Sequence, residues 1–304
     1  MFEAKLLDGS ILKRIVEAIK DVVNDVNIDV SPSGKHWFFT RRIKNNPNYL
    51  FYFFTNKRSW QNIVSVIIEV VIFTVFLAQS LLLICKYELT LISVLLGISL
   101  QAMDGSHVAL VSLNLSMEGF EHYRADTSMV LGINVALLAK VMKLADATDS
   151  ITLSAEDNPT HLKLCFENTK NERTTEFTMN LISLDVEHLA IPETEYSSVV
   201  SINSGEFTKI CKELYSLNET LTINTNSDFV QFAVESEAGS GSIRIGTNES
   251  MDREDQTTVQ VTEAVQQQFA IRYLNMFNKA APLSTHTRLC LHQEQPLVVE
   301  YKID

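Results

Sequence analysis

Residues 2–22, FEAKLLDGSILKRIVEAIKDV, and residues 199–217, VVSINSGEFTKICKELYSL, are built to one plan. Each opens with a short apolar alternation, meets a serine at the point of helix entry, and continues with apolar residues three and four apart. In the first stretch Leu12, Ile15, Val16 and Ile19 form the stripe to be buried, and Lys13, Arg14 and Lys20 fall outside it. Ser10 and Ser204 are the expected helix N-caps, and Glu206 suits the first turn of its helix. A second pair, INVALLAKVMKLA (133–145) and FAIRYLNMFNKAA (269–281), again matches in helix entry and length.

Between these helices the chain alternates with a period of two, as in SITLS (150–154), LKLCF (162–166), FVQFAV (229–234), SIRIG (242–246) and LVVEYKI (297–303), with turn residues between. These read as antiparallel strands. The order strand, helix, strands, helix, strands runs to a linker near residues 184–195, LDVEHLAIPETE, and begins again at Val199. The second half is thus a structural echo of the first. The expected fold class is α+β: two domains of repeated β-α-β units with helices on one face of antiparallel sheet.

Charge is distributed to match this repeat. The chain carries a net charge of −12, which by itself discourages phosphate binding. All four helical segments nevertheless present cations outside their apolar stripes: Lys13, Arg14 and Lys20; Lys140 and Lys143; Lys209 and Lys212; Arg272 and Lys279. One such face is an ordinary solvated helix surface. Recurrence in all four points to a shared basic surface, which would hold nucleic acid by charge without reading base edges.

Residues 35–97 belong to a different kind of text. They hold 7 basic and 2 acidic residues, a charge of +5 against −17 for the remainder, together with both tryptophans and 7 of the 16 phenylalanines. Residues 63–85, IVSVIIEVVIFTVFLAQSLLLIC, carry one charge in 23 residues and read as a transmembrane candidate. The preferred reading is a retained intron: Gly34-Lys35 and Leu96-Gly97 can be encoded by splice-donor and splice-acceptor sequences, and the composition is that of translated A/T-rich DNA. The interruption falls in an SPSG turn, where a longer loop costs little closure entropy.

The flanking text, Met1–Gly34 and Ile98–Asp304, resembles the eukaryotic DNA sliding clamps of the proliferating cell nuclear antigen (PCNA) family. LDVEHLAIPETEYSSVV is similar to the interdomain connector of that family, AIRYLNMFNKAAPLS to its last pore helix, and PLVVEYKID to the start of its C-terminal strand pair. The resemblance implies a non-enzymatic, nuclear, homotrimeric ring that encircles duplex DNA, is loaded by a clamp loader, and recruits DNA polymerases and proteins bearing short helical clamp-binding motifs. It makes the nine cations named above the pore residues. It assigns a partner groove to Met103, His107 and Val108, to Leu189, Ile191 and Pro192 of the connector, and to Ala270 and Pro296. Subunit contacts would come from a strand around Phe177 pairing with a neighbour's strand containing Gly241 and Ile243. The domains would be residues 1–34 with 98–183, a connector at 184–198, and 199–304. Rival readings are a divergent, checkpoint-type or inactive clamp paralogue, and a membrane-associated scaffold using the insert.

Other chemistry is weakly supported. Gly239-x-Gly241 is followed by Arg244 and strand-like residues rather than a phosphate cradle, and there is no Walker A, Gly-x-Ser-x-Gly or His-Glu-x-x-His sequence. No catalytic residue, metal site or cofactor is expected. Cys85, Cys165, Cys211 and Cys290 lie far apart and read as buried thiols. Two departures from the family accompany the insert. Ser227 stands where the family carries its modification lysine. LVVEYKID is followed by no counterpart of the strand EFTMNL; as it stands this predicts an unpaired sheet edge and a shallower groove, and means either that the gene model is short or that partner affinity is reduced.

Overall fold

The structure, a computed structural model, describes residues 1–32, the backbone of 49–55, and residues 97–168, 170–185, 195–247 and 255–303. The first half contains β1 (Phe2–Leu6), α1 (Gly9–Ile19), β2 (Asp25–Val30), β3 (Tyr49–Thr55), β4 (Gly97–Met103), β5 (Ala109–Ser116), β6 (His122–Ala125), β7 (Met129–Asn134), α2 (Val135–Val141), β8 (Ser150–Ala155), β9 (His161–Asn168) and β10 (Arg173–Asn180). The second contains β11 (Ser198–Asn203), α3 (Ser204–Tyr215), β12 (Thr220–Thr225), β13 (Phe229–Ser236), β14 (Gly239–Gly246), β15 (Thr258–Val261), β16 (Val265–Ala270), α4 (Ile271–Phe277), β17 (His286–Leu291) and β18 (Leu297–Lys302). Short 3-10 turns extend α2 over Met142–Leu144 and α4 over Asn278–Leu283. The α+β class read from the sequence is the class observed.

The strands form three antiparallel sheets, ordered β10-β9-β8-β1-β6, β15-β11-β17-β18-β3-β5-β4-β2-β7 and β14-β13-β12-β16. Superposing the orders exposes the repeat. The run β6, β1, β8, β9 corresponds to β15, β11, β17, β18, and β5-β4-β2-β7 corresponds to β14-β13-β12-β16. The helices obey it too: Leu12, Ile15, Val16 and Ile19 of α1 are buried, and so are Phe207, Ile210, Cys211 and Leu214 at the matching positions of α3. That burial joins helices and sheets in one apolar core.

Both helix starts differ from expectation by a residue or two. Asp8, not Ser10, caps α1, its carboxylate accepting the Ser10 N–H at 2.9 Å. Asn203, not Ser204, caps α3, accepting from Gly205 at 2.9 Å and Glu206 at 3.1 Å. The cap must be the last residue with extended backbone, and Ser10 and Ser204 already have helical geometry. Ser204 is instead buried, where its Oγ accepts a 2.9 Å hydrogen bond from Thr287.

The expected open edge beside β18 is not open. β3, residues 49–55 of the atypical segment, pairs with β18 on one side and β5 on the other, fusing what would be a five-stranded and a four-stranded sheet into nine strands. Unpaired N–H and C=O groups along β18 favour a partner strand, and YLFYFFT has the aromatic, β-favouring composition to supply one. The transmembrane candidate at 63–85 lies outside the described residues. Among the described residues no helix is long and apolar enough to cross a membrane.

A candidate DNA-facing surface, partner groove and ring edges

The helices that carry the sequence-predicted cations lie side by side. α1 packs against α2 and the Asn278–Leu283 turn, and α3 packs against α4 and the same turn, so the four helices are neighbours. The repeat places Arg14 of α1 at the position of Lys209 in α3, and Lys143 after α2 at the position of Lys279 after α4. Lys140, Lys143, Lys209, Lys212, Arg272 and Lys279 are exposed, as is Arg14; Lys13 and Lys20 are half-buried.

Several of these cations also tie helices together. Lys13 Nζ donates to the Ala145 carbonyl at 3.0 Å, where the turn after α2 ends, and Arg14 donates to the Pro282 carbonyl at 3.3 Å. Lys279 pairs with Asp21 and Lys20 with Glu17. Arg272 lies with its guanidinium carbon 4.8 Å over the Tyr273 ring and donates to the Tyr273 hydroxyl at 3.2 Å. Lys140, Lys143 and Lys212 have no ion pair among the described residues and are the most available for an external anion.

The partner-groove residues divide by location. Met103, His107 and Val108 sit at the turn between β4 and β5, where Asp104 acts as the organiser. Buried to 8% exposure, its carboxylate accepts the N–H groups of Ser106 at 3.1 Å, Val108 at 2.7 Å and Ala109 at 2.6 Å, and the Tyr273 hydroxyl at 3.2 Å. Burial opposes the Asp104 charge, but the hydrogen bonds from Ala109, Ser106 and Val108 win and hold its pKa below the usual value. The turn carries His107 at a φ of 54°, with its Nδ1 3.0 Å from the Met103 sulfur.

Below this turn Leu110, Cys290 and Val298 form a small apolar cluster on which Met103, Tyr196 and Val199 pack. Ala270 is exposed at the entry to α4, and Pro296 is half-buried just before β18. Leu189, Ile191 and Pro192 lie outside the described residues, although Tyr196, seven residues after Leu189, packs on this cluster. Asp104 and Tyr273 were missed by sequence reading. The Asp-Gly-Ser turn was a local signal for the first, but the contact between the two spans 169 positions.

Phe177 and Gly241 with Ile243 lie on β10 and β14, which are edge strands of two different sheets among the described residues. Apolar side chains accompany both edges. Phe177 is half-buried, with Leu144 (43% exposed) nearby, its carbonyl bound by Arg173; Leu217 is 58% exposed and stands against Gly241. A long, partly apolar edge invites another strand.

Two family models match the chain. The proliferating cell nuclear antigen N-terminal domain matches residues 1–37 and 90–188, and the C-terminal domain of the same antigen matches residues 190–304. Together they leave only the centre of the atypical segment unmatched. The chain belongs to the PCNA family of sliding clamps. Membership accounts for the doubled sheet order.

The Gly239–Gly241 stretch is the start of β14 in a tight hairpin with β13, not a phosphate loop. Among the described residues no cluster of His, Cys, Asp and Glu could hold a metal. Cys211 and Cys290 are buried thiols, each pushed up to about 12 chiefly by burial, whereas Cys165 is only half-buried, which corrects its expected burial. Its side chain lies on the outer face of β9, between the core-facing Leu164 and Phe166. Cys85 lies outside the described residues.

Proposed function

We propose that the chain is a DNA polymerase processivity factor: three copies close into a ring around duplex DNA, with α1 to α4 of each copy facing the hole. The single observation that carries this reading is the register at the seam between β3 and β5. Phe53 of β3 pairs with Val299 and Val111, while Phe177 of β10 pairs with Leu164. The internal repeat makes Leu164 equivalent to Val299, and Val111 equivalent to Gly241. Carried to the open edges, the same geometry sets Phe177 of one copy opposite Gly241 of the next, and Thr175 opposite Ile243. A chain with two repeats and one such joint inside it repeats that joint at its ends, and a heterologous contact of this kind closes a ring when the rotation permits.

The basic helices give the ring its use. Cations presented by every repeat attract phosphates without reading sequence, so the ring can slide. The groove beside Met103, His107 and Val108 suits the aliphatic and aromatic anchors of a short helical motif from a polymerase, clamp loader or repair protein. Such a protein acts in the nucleus and needs no cofactor or catalytic group. Ser227 is exposed in the turn joining β12 and β13, so the substitution removes an attachment site there without touching ring or groove. The test is primer extension on a long template with a clamp loader and a clamp-dependent polymerase. Product lengths that increase with added protein support the reading; unchanged lengths overturn it.

A further inference from the structure

We propose that residues 49–55 act as an internal donor strand, completing the second domain from within the atypical segment. In the first half the strand after β9 is β10, which pairs with β9 from Arg173↔Asn168 to Asn180↔His161. The corresponding place beside β18 is held by β3, with Leu297↔Thr55 through Lys302↔Leu50 in register. The repeat aligns the two strands residue for residue, Phe53 with Phe177 and Phe51 with Thr175. β3 therefore takes the place of a fifth strand although it lies more than 240 residues earlier in the chain.

Three observations support a structural task rather than a casual contact. β3 is paired on both edges, running Tyr49↔Leu115 to Thr55↔Ala109 along β5. Its neighbours on the two sides, Leu110 and Val111 of β5 and Val298 and Val299 of β18, are all fully buried, as expected of the centre of a sheet rather than its rim. The segment is continuous in aromatic and β-favouring residues, which suits a strand enclosed on both faces. Leu110 and Val298, which flank Phe54 in the register, are also the groove floor, so strand and groove share a support.

The consequence is specific to this chain. Without β3 the facing edges of β18 and β5 would both lie open, and the two halves of a subunit would lose their shared ladder. With it, the atypical segment contributes a working strand to the clamp.

Hydrogen–deuterium exchange on the full chain tests this directly. Amides of residues 50–54 are expected to exchange about 100-fold or more slowly than in an unstructured peptide, in step with those of β18 and β5. Phe53→Pro, which removes a ladder donor, is expected to speed exchange in all three strands together. Free exchange at 50–54 while β18 and β5 stay protected would overturn the proposal. So would a Phe53→Pro chain with unchanged protection in β18 and β5. Neither result depends on ring assembly or DNA, so failure here is distinguishable from failure of the clamp reading.

Discussion

The edge strands β10 and β14 and the seam between β18 and β5 pose the same structural problem and meet it differently. At the seam, β3 lies between β18 and β5 and is paired along both edges within the chain. At the edges, β10 and β14 present equivalent strands with nothing beyond them among the described residues. The comparison teaches that the molecule contains one finished copy of the contact that the proposed ring would repeat between copies. It also shows where the halves differ. The first carries Phe166 at the position of Tyr301 in the second, and joins β4 to β5 through an Asp104-centred turn where the second has a tight hairpin.

The largest effect tests the equivalence of the cores. Phe166 and Tyr301 are both fully buried, so Phe166→Ala should destabilise by about 3–5 kcal/mol in chemical denaturation. A cost below about 1 kcal/mol would break the match between β9 and β18. Next comes the open joint. Any side chain at Gly241 meets Leu217, whose Cδ1 would lie 3.3 Å from an added Cβ, and faces Phe177 of the neighbour in the derived register. Gly241→Tyr should weaken association by about 30-fold or more, the scale of a hot-spot loss. Sedimentation velocity would show monomers with unchanged secondary structure.

Smaller differences sharpen the contrast. The Tyr301 hydroxyl donates to Asn278 Oδ1 at 2.9 Å in the core, so Tyr301→Phe should cost about 1–3 kcal/mol by leaving that oxygen unsatisfied. Asp104 has a folded pKa depressed below its value of 3.8 in an unfolded chain. Its contribution is therefore complete above that value and is lost as pH falls through the lower folded pKa. Acid titration should loosen the β4–β5 turn, read as weaker binding of a groove peptide, and Asp104→Ala should show the same loss at neutral pH. The smallest effect is expected at the basic helices. Lys143→Glu with Lys212→Glu should leave stability within about 0.5 kcal/mol, since both side chains are exposed, while flattening the salt dependence of DNA retention.

Much of this was legible in the residues. Apolar spacing set the four helices, and the cations read as outside each stripe are exposed or half-buried on neighbouring helices. The repeat was legible in the order of elements although identity was weak, because packing constrains period and length more tightly than residue identity. Helix caps were misplaced because a serine near the entry is equally compatible with the first turn, and backbone geometry decides. Asp104 and Tyr273 were invisible because nothing local in α4 announces a hydroxyl reaching a turn in the other half. β3 escaped notice for a related reason. A seven-residue aromatic-rich run does not declare its partners, and those partners, β5 and β18, both lie far downstream in the chain.

The most direct test of the account is the mass of the assembled particle, measured by light scattering on the full chain across a range of concentrations. The account predicts three times the 34.3 kDa chain mass, reverting to one chain when Gly241→Tyr is introduced. A particle that stays at one chain mass at every concentration, or one whose trimer survives Gly241→Tyr undiminished, would contradict it.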